Sequence, residues 1–147
     1  MSQSLWQGLR YGLRAFRRNP GGVKLVAVLS SAMGVTRREA GDLDGALADF
    51  NRAIALDPRS AWGYFGRGII LGEQGKLDEA IADFDRAVEL DPQFAMAYAN
   101  RGLARLRRGE GYIAKKDFRL CLELDPNLKE DIEAHSALVK KRSAHER

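Results

Sequence analysis

An all-α fold of stacked helix pairs is what the sequence predicts, on three observations. The phrase Leu-Asp-Pro occurs at Leu56-Asp57-Pro58, Leu90-Asp91-Pro92 and Leu124-Asp125-Pro126, so that successive prolines stand 34 residues apart. Gly41, Gly75 and Gly109 keep that step, and so do Phe50, Phe84 and Phe118. A fixed period of this size is the signature of a helical solenoid, in which each unit buries its apolar side against its neighbours.

Counting back from each Leu-Asp-Pro divides the chain into units at residues 27–60, 61–94 and 95–128. The middle unit reads AWGYFGRGIILGEQGKLDEAIADFDRAVELDPQF. It resembles a tetratricopeptide repeat, which wants bulky residues at positions 4, 11 and 24, small ones at 8, 20 and 27, and proline at 32. The middle unit supplies Tyr64, Gly68, Leu71, Ala80, Phe84, Ala87 and Pro92. The third supplies Tyr98, Gly102, Ala114, Phe118, Cys121 and Pro126, and the first Gly34, Ala46, Phe50, Ala53 and Pro58. The resemblance implies a right-handed solenoid of antiparallel helix pairs. Small residues at 8 and 20 let the paired helices approach, and the aromatic side chains fill the space beside them.

Two kinds of punctuation mark the helix ends. Glycine at position 15 closes the first helix of each unit in the left-handed conformation that costs glycine least. The proline of Leu-Asp-Pro pushes the preceding Asp out of the α region, which stops the second helix. Departures from the pattern fall in the outer units. Ser30 and Arg37 occupy positions 4 and 11 of the first, so its first helix reads as a degraded match. Arg105 occupies position 11 of the third, where Gly111-Tyr112 also replaces the Leu77-Asp78 pair of the middle unit. The middle unit is therefore expected to be the most stable, with the outer two fraying first.

Ahead of the repeats, residues 1–22 form a basic amphipathic segment. At 100° per residue, Leu5, Trp6, Leu9, Leu13 and Phe16 share one side of a helix, with Arg10, Arg14, Arg17 and Arg18 on an adjacent side. Asn19-Pro20-Gly21-Gly22 ends it. Three placements are open: a cap on the first repeat, a disordered arm, or an anionic membrane surface touched by Trp6, Arg10, Leu13, Arg14, Phe16 and Arg17. Residues 5–35 also resemble the N-terminal entry of macrolide-exporter-type ABC permeases, where an amphipathic cytosolic segment leads into a first membrane span. Here the apolar run from Leu25 to Val35 is about half the roughly 20 residues a span needs. It also lacks the cleavage site of a signal peptide.

After the repeats, residues 129–147 offer Ile132, Leu138 and Val139 at helical spacing, read as the closing helix that a repeat stack needs for solubility. Its acids come first and its bases last, as the helix dipole prefers.

Composition bounds the function. The 147 residues suit one domain, and 45% apolar with 30% charged residues is ordinary for a globular chain. The net charge of +4 is concentrated at the N-terminus: residues 1–26 hold five bases and no acid, leaving the repeats near neutral. That speaks against nucleic acid as a partner of the repeats. Cys121 is the only cysteine and falls where the other units have Ala53 and Ala87, which reads as an inert core thiol. His135 and His145 are isolated from other ligand types, so no metal site is expected. The glycines follow the 34-residue period rather than a phosphate-loop spacing, and no cofactor is expected. Asp49, Asp83 and Asp117 recur with the repeats, as do Arg67 and Arg101. They are read as inter-repeat ion pairs or hydrogen bonds rather than acid–base catalysts, and the chain is not expected to be an enzyme.

In the family, positions 2, 5, 6, 9, 12 and 13 of each first helix commonly face a concave groove that holds peptides or partner helices. Carried over, the resemblance implies a partner-binding groove at Trp62, Phe65, Ile69, Glu73, Met96, Asn100, Leu103 and Arg107, with Val28, Ser31, Ala32, Val35, Arg38 and Glu39 in the first unit. The family's carboxylate clamp for acidic C-terminal tails is not reproduced beyond Asn100. The expected function is a protein–protein interaction scaffold with an apolar groove and a protein or peptide partner. A peripheral membrane adaptor using the basic N-terminal helix is the alternative, and a truncated or fused reading frame a third. The phrase AIADFDRAVELDP resembles bacterial repeat proteins, and the expected location is cytoplasmic or the inner face of a membrane.

Overall fold

The structure, a computed structural model, describes residues 20–145. Seven α-helices follow in order: α1 (Pro20–Glu39), α2 (Leu43–Leu56), α3 (Ala61–Glu73), α4 (Leu77–Leu90), α5 (Ala95–Arg107), α6 (Gly111–Leu124) and α7 (Lys129–His145). A 3-10 turn, Pro126–Leu128, precedes α7. No strand occurs among the described residues. The pairs α1/α2, α3/α4 and α5/α6 pack closely, α2 then meets α3, and α4 meets α5, which is a linear stack of hairpins. The N-terminal segment of residues 1–19, with its six membrane-surface candidates, lies outside the described residues. Pro20 opens α1, so the first helix starts seven residues ahead of the repeat count, a place where the missing N–H of proline costs nothing.

The periodic punctuation does the same job three times. Gly41, Gly75 and Gly109 have φ of +83°, +79° and +86°. Beside them the N–H groups of Asp42, Lys76 and Glu110 donate back to the carbonyls of Arg37, Leu71 and Arg105, each at 2.9 Å. These bonds satisfy carbonyls that the helix end would otherwise orphan. Asp57, Asp91 and Asp125 end the second helices outside the α region, at φ −137°, −135° and −143°. Their carboxylates also accept from the N–H groups of Arg59, Gln93 and Asn127 at 3.3, 3.0 and 3.0 Å, a local turn that the side chain stabilises.

Packing explains the small positions. A Cβ on Gly68 would sit 2.7 Å from the Phe84 ring, so the helix pair closes only over glycine. The largest apolar cluster joins Phe65, Leu71, Ala80, Ile81, Phe84, Ala87, Ala97 and Ala104 across the second and third units. Ala46, Phe50 and Ile70 bind the first unit to the second. Cys121 is buried, as Ala87 and Ala53 are one and two periods earlier. Ile132 of α7 covers it together with Ala99.

The expected inter-repeat pairing holds for the arginines but not for Asp83 and Asp117. Arg67 Nε and Nη2 donate to the two Asp83 oxygens at 2.7 and 2.8 Å, and Arg101 donates to Asp117 at 3.1 and 2.7 Å. These pairs lie within one unit, not between units. The inter-unit bonds are made by the spare nitrogen, Arg67 to Asn51 at 3.0 Å and Arg101 to Asp85 at 2.8 Å. Arg37, which departs from the repeat pattern, takes part in a pair of its own. The first unit has Met33 where the others have Arg67 and Arg101, and Arg37, one helical turn on, lies 3.2 Å from Asp49 in their stead. In the third unit Arg105 joins Arg101 on the nearly sealed Asp117, at 2.8 Å.

Candidate functional site

The inner side of the stack holds a cavity of about 750 Å³, walled by α3, α5 and α7, with Leu77 and Phe84 of α4 behind it. Ile69, Met96 and Leu103 supply its apolar wall, and Leu138 and Val139 face them from α7. Arg38, Glu73, Asn100, Arg107, His135 and Arg142 supply polar groups. A cleft of this size, apolar with a few placed polar groups, has the make-up of a ligand site.

Each polar group is set by the element that carries it. Arg38, at the end of α1, donates Nε to Glu73 Oε1 at 2.7 Å and so ties the first unit to the second across the groove. The hydrogen bond with Glu73 keeps its guanidinium more firmly charged than usual. Arg107 Nη1 donates to the Gly72 carbonyl at 2.7 Å, capping the C-terminal end of α3, where a cation is favoured. Asn100 spends its amide on the Met96 carbonyl one turn back, at 2.9 Å. His135 lies 2.7 Å from the Asp131 carbonyl in its own helix. Among the described residues, Arg142 is the charge at the cavity that no other side chain engages, and the lining is net basic.

Six of the eight groove residues read from the sequence line the cavity: Ile69, Glu73, Met96, Asn100, Leu103 and Arg107. Two do not. Phe65 is 2% exposed and belongs to the core, in contact with Phe94 at a ring separation of 4.6 Å. Its assignment as an anchor is corrected, because Phe94, the residue before α5, closes over it. Trp62 is half exposed but stacks on Phe94, 6.0 Å between centroids and 14° between planes, beside the cavity rather than in it. In the first unit, Ser31 is buried and donates to the Ala27 carbonyl at 3.1 Å, while Arg38 alone reaches the cavity wall.

The face of α7 is the part that the repeat positions do not give. The helix is anchored by Ile132 but lies along α5 with little contact to α6, so it turns toward the inner side of the stack. His135, Leu138, Val139 and Arg142 then point into the cavity. Their spacing of i, i+3, i+4, i+7 is the signal that marks this face in the sequence. Among the described residues no three His, Cys, Asp or Glu side chains converge to hold a metal, and no helix is long and apolar enough to cross a membrane.

The profile of the tetratricopeptide repeat family matches residues 31–93 and 65–111, more than half of the chain. The chain is a tetratricopeptide repeat protein. Solved structures of other tetratricopeptide repeats superpose on it. The first such domain of Spaghetti (RPAP3), bound to the HSP90 peptide SRMEEVD, is 26% identical with a TM-score of 0.73, covering 82% of this chain and 98% of that one. The second domain of human RPAP3, in complex with the HSP70 peptide SGPTIEEVD, is 28% identical with a TM-score of 0.72 over 81% and 98% of the two chains. The Arabidopsis OM64 domain shares the fold at 24% identity, TM-score 0.72, over 86% and 100%. A comparison with curated proteins finds no match.

Proposed function

We propose that this tetratricopeptide repeat protein is an interaction scaffold that takes an amphipathic peptide or partner helix along its inner groove. Ile69, Met96, Leu103, Leu138 and Val139 receive the apolar side chains, and Arg142 meets an acidic group at one end. The observation that carries the reading is the 750 Å³ cavity with apolar walls facing each other across α5 and α7. Peptide complexes of the similar domains support a peptide as the partner class. The reading departs from their acidic tails because Asn100 and Arg107 are already committed to backbone carbonyls, which leaves the groove without a clamp for a terminal carboxylate. Its role is binding rather than turnover, since the polar groups at the cavity are paired or isolated rather than arranged as nucleophile and base.

A random peptide library panned against the protein tests this, with SRMEEVD as a reference peptide. Selected peptides are expected to carry Leu, Ile, Met or Phe at helical spacing and to bind more tightly than SRMEEVD. Leu103→Asp should weaken them at least tenfold, about 1.4 kcal/mol. Peptides that bind the Leu103→Asp and Met96→Asp proteins undiminished would remove the groove as the site.

A further inference from the structure

The 34-residue period shows which side chains seat one unit on the one before it. In the second unit these are positions 3, 7 and 10: Gly63 against Ile54, Arg67 donating to Asn51, and Ile70 sealed among Ala46 and Phe50. In the third they are Ala97 and Ala104, both buried against α4, and Arg101, which donates to Asp85. One period before the second unit stand Leu29, Met33 and Thr36 of α1. Leu29 is 54% and Met33 50% exposed, and Leu25, one turn ahead of Leu29, is 59% exposed. The first unit therefore carries a complete seating face with nothing on it among the described residues. The opposite end of the stack is closed to such stacking, because Lys115 stands where Leu47 and Ile81 pack against the next unit.

We propose that residues 3–18, which lie outside the described residues, cover this face as a helix, in the place a preceding unit's second helix would take. Three observations select that occupant. Its length fits, since α2, α4 and α6 have 14 residues each and the amphipathic run is slightly longer. Its connection fits, since it ends next to Pro20, the first residue of α1, and a short tether makes docking effectively intramolecular. Its chemistry fits: position 7, an arginine that reaches back to a polar partner in the later units, is Met33 here. The matching segment offers Leu5, Trp6, Leu9, Leu13 and Phe16 on one side and no acid. Leu25, Leu29 and Met33 meet that apolar side, and Arg10, Arg14, Arg17 and Arg18 stay in water.

The test uses the full chain with Trp62→Phe, which leaves Trp6 the only indole of the two. Trp6 emission should be blue-shifted in the native protein relative to the urea-unfolded chain. Leu29→Glu should move it back to the red and lower Tm by about 4 °C or more, whereas Tyr112→Glu, 76% exposed at the other end, should do neither. Trp6→Ala and Leu29→Ala, separately and together, should be strongly non-additive in Tm, a readout that survives even if the charged variant does not fold. Three results would overturn the proposal. Trp6 could emit as in the unfolded chain. Leu29→Glu could dissociate a dimer in sedimentation equilibrium without moving Trp6, which assigns the face to a second copy. Or Trp6 could shift only when phosphatidylserine vesicles are added, which assigns the segment to a membrane surface.

Discussion

Asp117 is the residue on which the third unit turns. It is 1% exposed and accepts from both Arg101 and Arg105, so two guanidinium groups share one sealed carboxylate. Burial works against the charge on Arg101, and Asp117 and Asp85 together outweigh it, raising its pKa above the ordinary arginine value. Asp117→Ala leaves two half-buried cations facing each other and should cost about 3 kcal/mol in urea unfolding, as loss of one partner of a buried pair does. Asp85→Ala, whose carboxylate is half exposed, should cost under about 1 kcal/mol. Cys121 makes a second residue-scale prediction. Burial pushes its thiol pKa up, so at any pH less of it is the reactive thiolate than of a free cysteine. Ellman's reagent should label it slowly in the native protein and promptly in urea, and prompt labelling of the native chain would mean that Ile132 and α7 do not cover it. The buried small position was readable from Ala53 and Ala87, but the Arg37–Asp49 substitution was not. A one-turn shift of a guanidinium conserves the ion pair while breaking the position-by-position match.

At the scale of the helix, the close approach of α3 to α4 depends on one missing side chain. Gly68→Ala forces its methyl group to within 2.7 Å of Phe84, whose ring is hemmed in by Phe65 and Ala80, and should cost about 2 kcal/mol through overpacking. Gly75→Ala meets no atom at all within 4 Å, yet it sits at φ +79° and should cost about 1 kcal/mol from backbone strain alone. Thermal melts of the two variants separate crowding from strain, because a smaller residue at Phe84, such as Leu, rescues the first and leaves the second unchanged. The hairpins were legible in the sequence because each turn carries its own glycine and each helix end its own Asp-Pro. The course of α7 was not. Helical spacing reveals that His135, Leu138, Val139 and Arg142 share a face, but nothing local decides whether that face meets α6 or turns toward α5. Phe65 was misread for a related reason: it sits at a groove position, and only Phe94, from the next unit's approach, covers it.

For the whole molecule, the stack is a chain of neighbour contacts, and its stability should be distributed accordingly. The middle unit alone has partners on both sides: Ile70 packs on Ala46 and Phe50 of the first unit, and Ile81, Phe84 and Ala87 pack with Ala97 and Ala104 of the third. The third unit is finished on its far side by Ile132 over Ala99 and Cys121. Amide hydrogen exchange should therefore be slowest in α4, around Phe84 and Ala87, faster in α6, and fastest along α7 beyond Ile132, where one anchor holds a 17-residue helix. That ordering bears on binding, because Leu138 and Val139 form one wall of the cavity and belong to the least protected helix. A peptide lying between α5 and α7 must order both walls, so it should slow exchange in α7 far more than in α4, which has little opening left to suppress. Equal protection of α7 with and without peptide, measured at saturating ligand, would place the ligand on another surface of the stack.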